Sequence, residues 1–161
     1  IKVVEKASRF LSVMVSEKQV MDLLRPNWHP FVVYMFNCFQ TKGHILFVME
    51  YLEGRTLNVI LAIEKFFTEQ RTVFYSSCVL LAIGYLHSLN IAHRDIKLEN
   101  IALDRQGYPK LIDFGMAEIN VKHNTPILEK SGTRFYQGPE FLIPGMITRR
   151  SSDFWSLGVI I

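Results

Sequence analysis

An α+β fold in two unequal parts is predicted: a small β-rich part over residues 1–52, then a mainly helical part over residues 53–161. Three observations predict it. Strand-sized apolar runs, "IKVV", "FVVYMFNCF" and "HILFVMEYL", crowd the start of the chain. The longest helix-period stretch, residues 69–89, comes only afterwards. The composition, 49% hydrophobic and 20% charged over 161 residues, is that of a globular domain, or a large piece of one, with a real core.

Each element follows in order. "IKVV" reads as a short buried strand. "SVMVSEKQVMDLL" sets Val13, Val20, Leu23 and Leu24 among charges, which suits an amphipathic helix. "PNWHP" ends it, because two prolines and an Asn do not continue a helix. "QTKG" joins the next two strand runs as a hairpin connection, with Gly43 at the turn. "EYLEGRT" is read as the link between the parts. Within 69–89, Phe74, Cys78, Leu81 and Tyr85 recur at helical spacing and define one face. "IALD" and "PKLIDF" are strand-sized, and "DRQGYP" between them predicts a second hairpin. "SSDFWSLGVII" predicts the start of a buried helix with Ser151 or Ser152 as N-cap.

Composition excludes several partners. A net charge of +3 is too small to imply nucleic acid, and the basic cluster "TRRSS" reads as a solvated loop. No run approaches the ~18 apolar residues that suggest a membrane span, so no membrane contact is expected from this segment. The two cysteines, Cys38 and Cys78, stand far apart and outside any CxxC pair. They read as reduced thiols of a cytoplasmic protein. The start "IKVVEK", without Met, hints at a fragment.

Chemistry concentrates in "HRDIKLEN", residues 93–100, and in "IDFG", which ends at Gly115. A loop keeping His, Arg, Asp, Lys, Glu and Asn this close together, after an apolar helix, must find partners for them. Asp95 can accept a proton from a substrate hydroxyl, and Asn100, five residues on, can turn back to hold a metal ion. Asp113, eighteen residues after Asp95, adds a carboxylate that would bind Mg²⁺, and Gly115 lets the backbone turn. By itself "HRD" also fits a charged surface loop; the ordered set of Asp95, Asn100 and Asp113 is far more specific.

These residues resemble the catalytic loop and metal-binding motif of eukaryotic protein kinases, H-R-D-x-x-x-x-N followed by D-F-G. The resemblance extends to Lys2 in "IKVV", Glu17 in "SEKQVM", "GTRFYQGPE" at 132–140 and "SDFWSLG". It covers essentially the whole chain. "HPFVVYMFNCFQT", "FVMEY" and "FYSSCVLLAIGYLH" look like the group of kinases A, G and C, nearest the protein kinase C and protein kinase N branch. The resemblance implies a two-lobed kinase-like fold, incomplete at both ends. It implies that Lys2 and Glu17 position ATP, that Met49 is the gatekeeper, and that Glu50 and Leu52 offer hinge backbone to adenine. Asn100 and Asp113 would hold Mg²⁺. Asp95 would be the catalytic base, with Lys97 and Thr133 supporting the incoming hydroxyl, and Asp153 would hold the loop backbone from beneath. Taken singly, Lys2 also fits a solvated strand-end lysine, and Met49 a flexible core filler.

The chain departs from that pattern in several places. No G-x-G-x-x-G occurs among its nine glycines. "GRTL" stands where the family reads "GGDL" or "GGEL", so Thr56 replaces an acid and Arg55 a glycine; Glu99 remains as a possible partner for a substrate arginine. Glu129 occupies the position of the activating phosphothreonine and is expected to pair with Arg94, in part replacing the phosphate; Thr125 and Ser131 are further candidate phosphosites. Gln137 and Arg134 are unusual in the substrate-facing segment. Glu140 is expected to lack its arginine partner, which would lie beyond the chain.

The expected function is ATP-dependent phosphorylation of Ser or Thr hydroxyls on proteins, under an upstream regulator or regulatory domains outside the chain. Three alternatives compete: a pseudokinase or interaction module, an inactive truncated piece, and a small-molecule phosphotransferase of the same fold.

Overall fold

The computed structural model describes residues 1–6, 11–127, 131–143 and 146–161. Its small lobe is a three-stranded antiparallel sheet in the order β1 (Lys2–Glu5), β3 (His44–Met49), β2 (Met35–Gln40). Lys2 pairs with Phe47 and Met35 with Met49, so the hairpin of β2 and β3 carries the register. Thr41 N–H donates to His44 O at 2.9 Å and closes the turn before Gly43. β1 is an edge strand whose residues alternate between half-buried and exposed, so the expectation of a buried "IKVV" is corrected. With pairing on one side only, Val3 faces solvent at 58% exposure.

α1 (Leu11–Leu24) buries Met14, Glu17, Val20, Met21 and Leu24. Leu23, expected on that stripe, points outward, because a 3.6-residue period cannot put both Leu23 and Val20 at the centre of one face. The strand expected from Phe31 begins only at Met35. Residues before it are drawn off by the large lobe: Leu111 N–H donates to Phe31 O at 2.9 Å, and Val33 N–H to Leu111 O at 3.0 Å.

The large lobe opens with α2 (Leu57–Glu64), which the sequence reading left inside a link. Leu57 is its buried residue, so its uniformly apolar face gave no helical period. Thr68 caps α3 (Glu69–Ser88), its hydroxyl oxygen accepting from Arg71 N–H at 3.3 Å. α3 buries Tyr75, Cys78, Val79, Ala82, Ile83, Leu86 and His87. Phe74 and Leu81 of the expected face are exposed, the latter at 58%. A helix apolar nearly all round offers overlapping stripes, and packing on the hairpin of β4 (Ile101–Leu103) and β5 (Pro109–Leu111) selects among them. That hairpin turns through Asp104–Tyr108, with Gly107 at φ +87°.

α4 (Ser152–Ile160) closes the chain and packs on α3. Ser151 sits at the N-cap position without a side-chain cap, and Ser152 Oγ instead donates back to Arg149 O at 2.8 Å. Only part of α4 is buried; Trp155 and Val159 face out. One apolar cluster runs from Val20 and Phe47 through Ile83 and Leu111 to Leu157, joining the lobes. This is a two-lobed α+β kinase-like fold.

Candidate active site

The 93–100 loop is fixed from below. Asp153, 1% exposed on α4, accepts the backbone N–H of His93 at 3.0 Å and of Arg94 at 2.8 Å, and meets His87 Nε2 at 2.8 Å. His93 is fully buried, and burial holds its imidazole below its ordinary value despite Asp153 and Asp95 nearby. A neutral ring suits its contact with Ile112 O at 3.3 Å. Arg94 takes a positive φ of 65°, which turns the chain so that Asp95 faces the interlobe side.

Four donors converge on Asp95. Thr133 supplies its N–H at 3.0 Å and its hydroxyl at 2.8 Å, both to Oδ1. Asn100 Nδ2 reaches Oδ2 at 3.0 Å, and Lys97 Nζ lies 2.8 Å from the same oxygen. Lys97 also donates to Thr133 Oγ1 at 2.8 Å. Burial pushes the Asp95 carboxyl up, but the hydrogen bonds and charge from Lys97 and Thr133 outweigh it and hold it below its ordinary value. The structure therefore brings Asp95, Lys97, Asn100 and Thr133 into one network.

A second cluster lies above it. Lys2 Nζ is 2.7 Å from Glu17 Oε1 and 3.2 Å from Asp113 Oδ1. Burial would lower the Lys2 ammonium, yet the two carboxylates win and raise it. Burial raises the Glu17 carboxyl more than Lys2 lowers it. Asp113 has φ +62°, and its half-exposed carboxylate also accepts Gly115 N–H at 3.3 Å. The two clusters are tied by Ile112 N–H, which donates to Asn100 O at 2.9 Å.

Between the lobes lies a cavity of about 400 Å³ lined by Lys2, Glu17, Met49, Leu52, Thr56 and Asp113 among others. Glu50 lines it too, but its carboxylate is committed elsewhere, accepting Tyr34 N–H at 2.8 Å and Lys110 Nζ at 2.9 Å. Thr56, in the place of the expected acid, turns its hydroxyl to Asn58 Oδ1 at 2.5 Å. A second cavity of about 290 Å³ among α2, α3 and α4 is apolar and holds none of these acids.

The donor set suits a hard cation. Asn100 spends Nδ2 on Asp95, which leaves Oδ1 as its oxygen donor, and Asp113 adds a carboxylate. Among the described residues no group of three His, Cys, Asp or Glu side chains forms a metal cage. A cation here would complete its shell with water and phosphate oxygens, the habit of Mg²⁺.

Several features escaped the sequence reading. Lys110, almost fully buried, pairs with Glu50 and sits 5.7 Å from the Trp28 ring centre. Gln137 Nε2 donates to Gly132 O at 3.0 Å and Ser131 O at 3.2 Å, closing the turn before Thr133. Arg94 meets Glu118 at 2.6 Å. The signal for Lys110 was a lysine inside an apolar strand; nothing local marked Glu118 or Gln137. Glu129, the expected partner of Arg94, lies outside the described residues.

The family model described as "Protein kinase domain" matches residues 1–161. Serine/threonine-protein kinase N2 of Danio rerio is 40% identical over 152 residues, which is 92% of this chain and 15% of that protein. Ribosomal protein S6 kinase alpha-3 of Homo sapiens is 37% identical over 163 residues, 99% of this chain and 21% of the relative. Serine/threonine-protein kinase Sgk1 of Homo sapiens is 40% identical over 152 residues, 92% of this chain and 34% of the relative. The chain thus spans about a third or less of each, and its likeness is to serine/threonine kinase domains of the group of kinases A, G and C. Fold, interlobe cavity and family match agree: the chain belongs to the protein kinase domain family.

Proposed function

We propose that this chain carries the phosphoryl-transfer centre of an ATP-dependent serine/threonine protein kinase. The observation that carries the reading is the convergence of Lys97, Thr133 and Asn100 on the Asp95 carboxylate, with Asp113 and the Lys2–Glu17 pair across the same cleft. ATP would place its adenine beside Met49, Glu50 and Leu52 and its phosphates toward Lys2. Mg²⁺ would be held by Asp113 and Asn100, and when bound it neutralises charge on the phosphate oxygens. Asp95 would orient the substrate hydroxyl and take its proton. A carboxylate held below its ordinary value is a weak base, so its main contribution is position, with proton transfer late.

Asp95 has about four lone-pair sites, and four donors occupy them. An incoming hydroxyl must displace one. Lys97 is the donor best able to leave, since its ammonium sits on a flexible stem and a phosphate offers it another anion. Protein substrates bearing Ser or Thr, regulation from outside the chain and a cytoplasmic setting belong to the same reading. Both thiols are free, and burial pushes Cys38 and Cys78 up, as suits unreactive reduced cysteines. Placement nearest the protein kinase C and protein kinase N branch rests on the segments flanking the hinge, since kinase N2 and Sgk1 share the same 40% identity.

The test is the thermal midpoint of the 161-residue chain with Mg·ATP, with Asp113→Ala as control. Stabilisation of up to about 3 kcal/mol at saturating nucleotide, lost in the variant, is expected. An unmoved wild-type midpoint would remove the reading for this chain. Binding without transfer to a Ser/Thr peptide would favour the pseudokinase reading.

A further inference from the structure

The Arg94 side chain is only 8% exposed, and a guanidinium that far from water needs a counter-charge. Glu118 supplies one: its Oε2 lies 2.6 Å from Arg94 Nη1. Arg94 Nε–H also donates to Met116 O at 2.6 Å. The backbone reinforces the pair, because Ala92 and Glu118 exchange both N–H to carbonyl bonds at 2.9 Å. One residue thus grips the segment that follows Asp113 while standing next to Asp95.

Its other contacts reach the remaining parts of the centre. Arg94 N–H is held by Asp153 on α4, and its carbonyl lies against Gly132, where a side chain would not fit. Glu118 itself is 40% exposed and borders a cleft of about 260 Å³ lined by Ser16, Gln19, Arg94 and Ile119. The cleft is large enough for a tetrahedral anion, and its cation already faces a carboxylate.

We propose that Glu118 is a positioning residue, a built-in anion that holds Arg94 and so keeps the Asp95 loop in register with the Asp113 segment without an added phosphate in that cleft. The inference rests on the phosphotransfer reading of Asp95 and names what orders that centre. Charge logic makes it specific. With Glu118 ionised, an external anion entering the cleft is repelled; with the charge removed, Arg94 becomes a site for it.

Sulfate is the probe, titrated into the purified chain against chloride at constant ionic strength. Wild type is expected to show no sulfate-specific change in thermal midpoint. Glu118→Gln is expected to melt about 3–6 °C lower and to recover at least half of that loss with sulfate. The exposed control Glu53→Gln should match wild type. Trypsin cleavage after Lys122 and Arg134 should accelerate in Glu118→Gln and slow again with sulfate. If Glu118→Gln does not fold, Glu118→Asp, one methylene shorter, must show the same sulfate gain. A Glu118→Gln midpoint equal to wild type, or equal sulfate gains in both proteins, would overturn the proposal. None of these readouts needs catalysis, so a failure of nucleotide binding would count against the kinase reading and leave this result standing.

Discussion

Glu17 on α1 reaches Lys2 on β1 with both carboxylate oxygens, at 2.7 and 3.0 Å, and fastens the helix to the edge of the small sheet. The Glu17 side chain is nearly buried while the Lys2 side chain is about one-third exposed, so the pair is neither a surface decoration nor a fully desolvated ion pair. Glu17→Gln should cost about 1–2 kcal/mol, between the surface and buried limits. It should also leave Lys2 leaning on Asp113 alone. Urea unfolding measures the first effect. The second is visible as a smaller thermal gain from Mg·ATP; an unchanged gain would mean that Glu17 does not order Lys2.

Glu50 and Lys110 lock the strand preceding the interlobe segment to β5, 2.9 Å apart and with the lysine nearly buried. Glu50→Gln should cost about 2–3 kcal/mol, since it leaves a buried ammonium without its charge partner. Pairing it with Lys110→Met removes that orphan and should recover more than half of the loss. A double-mutant cycle in urea gives the coupling, and strict additivity would show that the two side chains act independently.

Gly132 sits at φ +102° with the Arg94 carbonyl where a Cβ would be. Gly132→Ala therefore combines backbone strain with a steric clash and should cost about 1–3 kcal/mol. Because Thr133 is next in sequence, its two bonds to Asp95 should be the first to loosen. Faster trypsin cleavage after Arg134 at a temperature where the chain stays folded would report it. Wild-type cleavage in the variant would show that the loop absorbs the methyl group.

Asp95 gives the acid limb of stability a definite sign. Burial raises its carboxyl, but Lys97 and Thr133 lower it further, so the folded value lies below the unfolded one. Its contribution is fully present above the ordinary carboxylate range and is lost as pH falls through the depressed folded value. Asp95→Asn should flatten the stability curve across that window while leaving neutral-pH slopes alone. Glu17 works in the opposite direction, because burial raises its folded value, so its ionisation costs stability as pH rises through that range. Denaturant midpoints collected across the acid range in wild type, Asp95→Asn and Glu17→Gln separate the two. Parallel curves for wild type and Asp95→Asn would refute the assignment.

How much was legible depended on the range of the interaction. The hairpins around Gly43 and Gly107, and the position of α3, were readable because turn chemistry and helical period are local. The face of α3 was not. Its residues are apolar in almost every direction, and only the hairpin of β4 and β5 decides that Tyr75 and Val79 go inside while Phe74 and Leu81 stay out. α2 was missed for the same reason, and the strand expected from Phe31 started late because Leu111 claims the backbone before it.

The order of amino acids by itself determined which groups are present and their local spacing: Asp95, Lys97 and Asn100 in one loop, Asp113 eighteen residues later, and the family pattern they form. Tertiary structure alone decided their partners. Lys2 finds Glu17 across 15 residues, Arg94 finds Glu118 across 24, Thr133 reaches Asp95 across 38, and Asp153 supports His93 across 60. The physical reason is that ionic and hydrogen-bonding groups saturate with whichever neighbour packing delivers. A single sequence carries no local signal for a contact made by two distant segments.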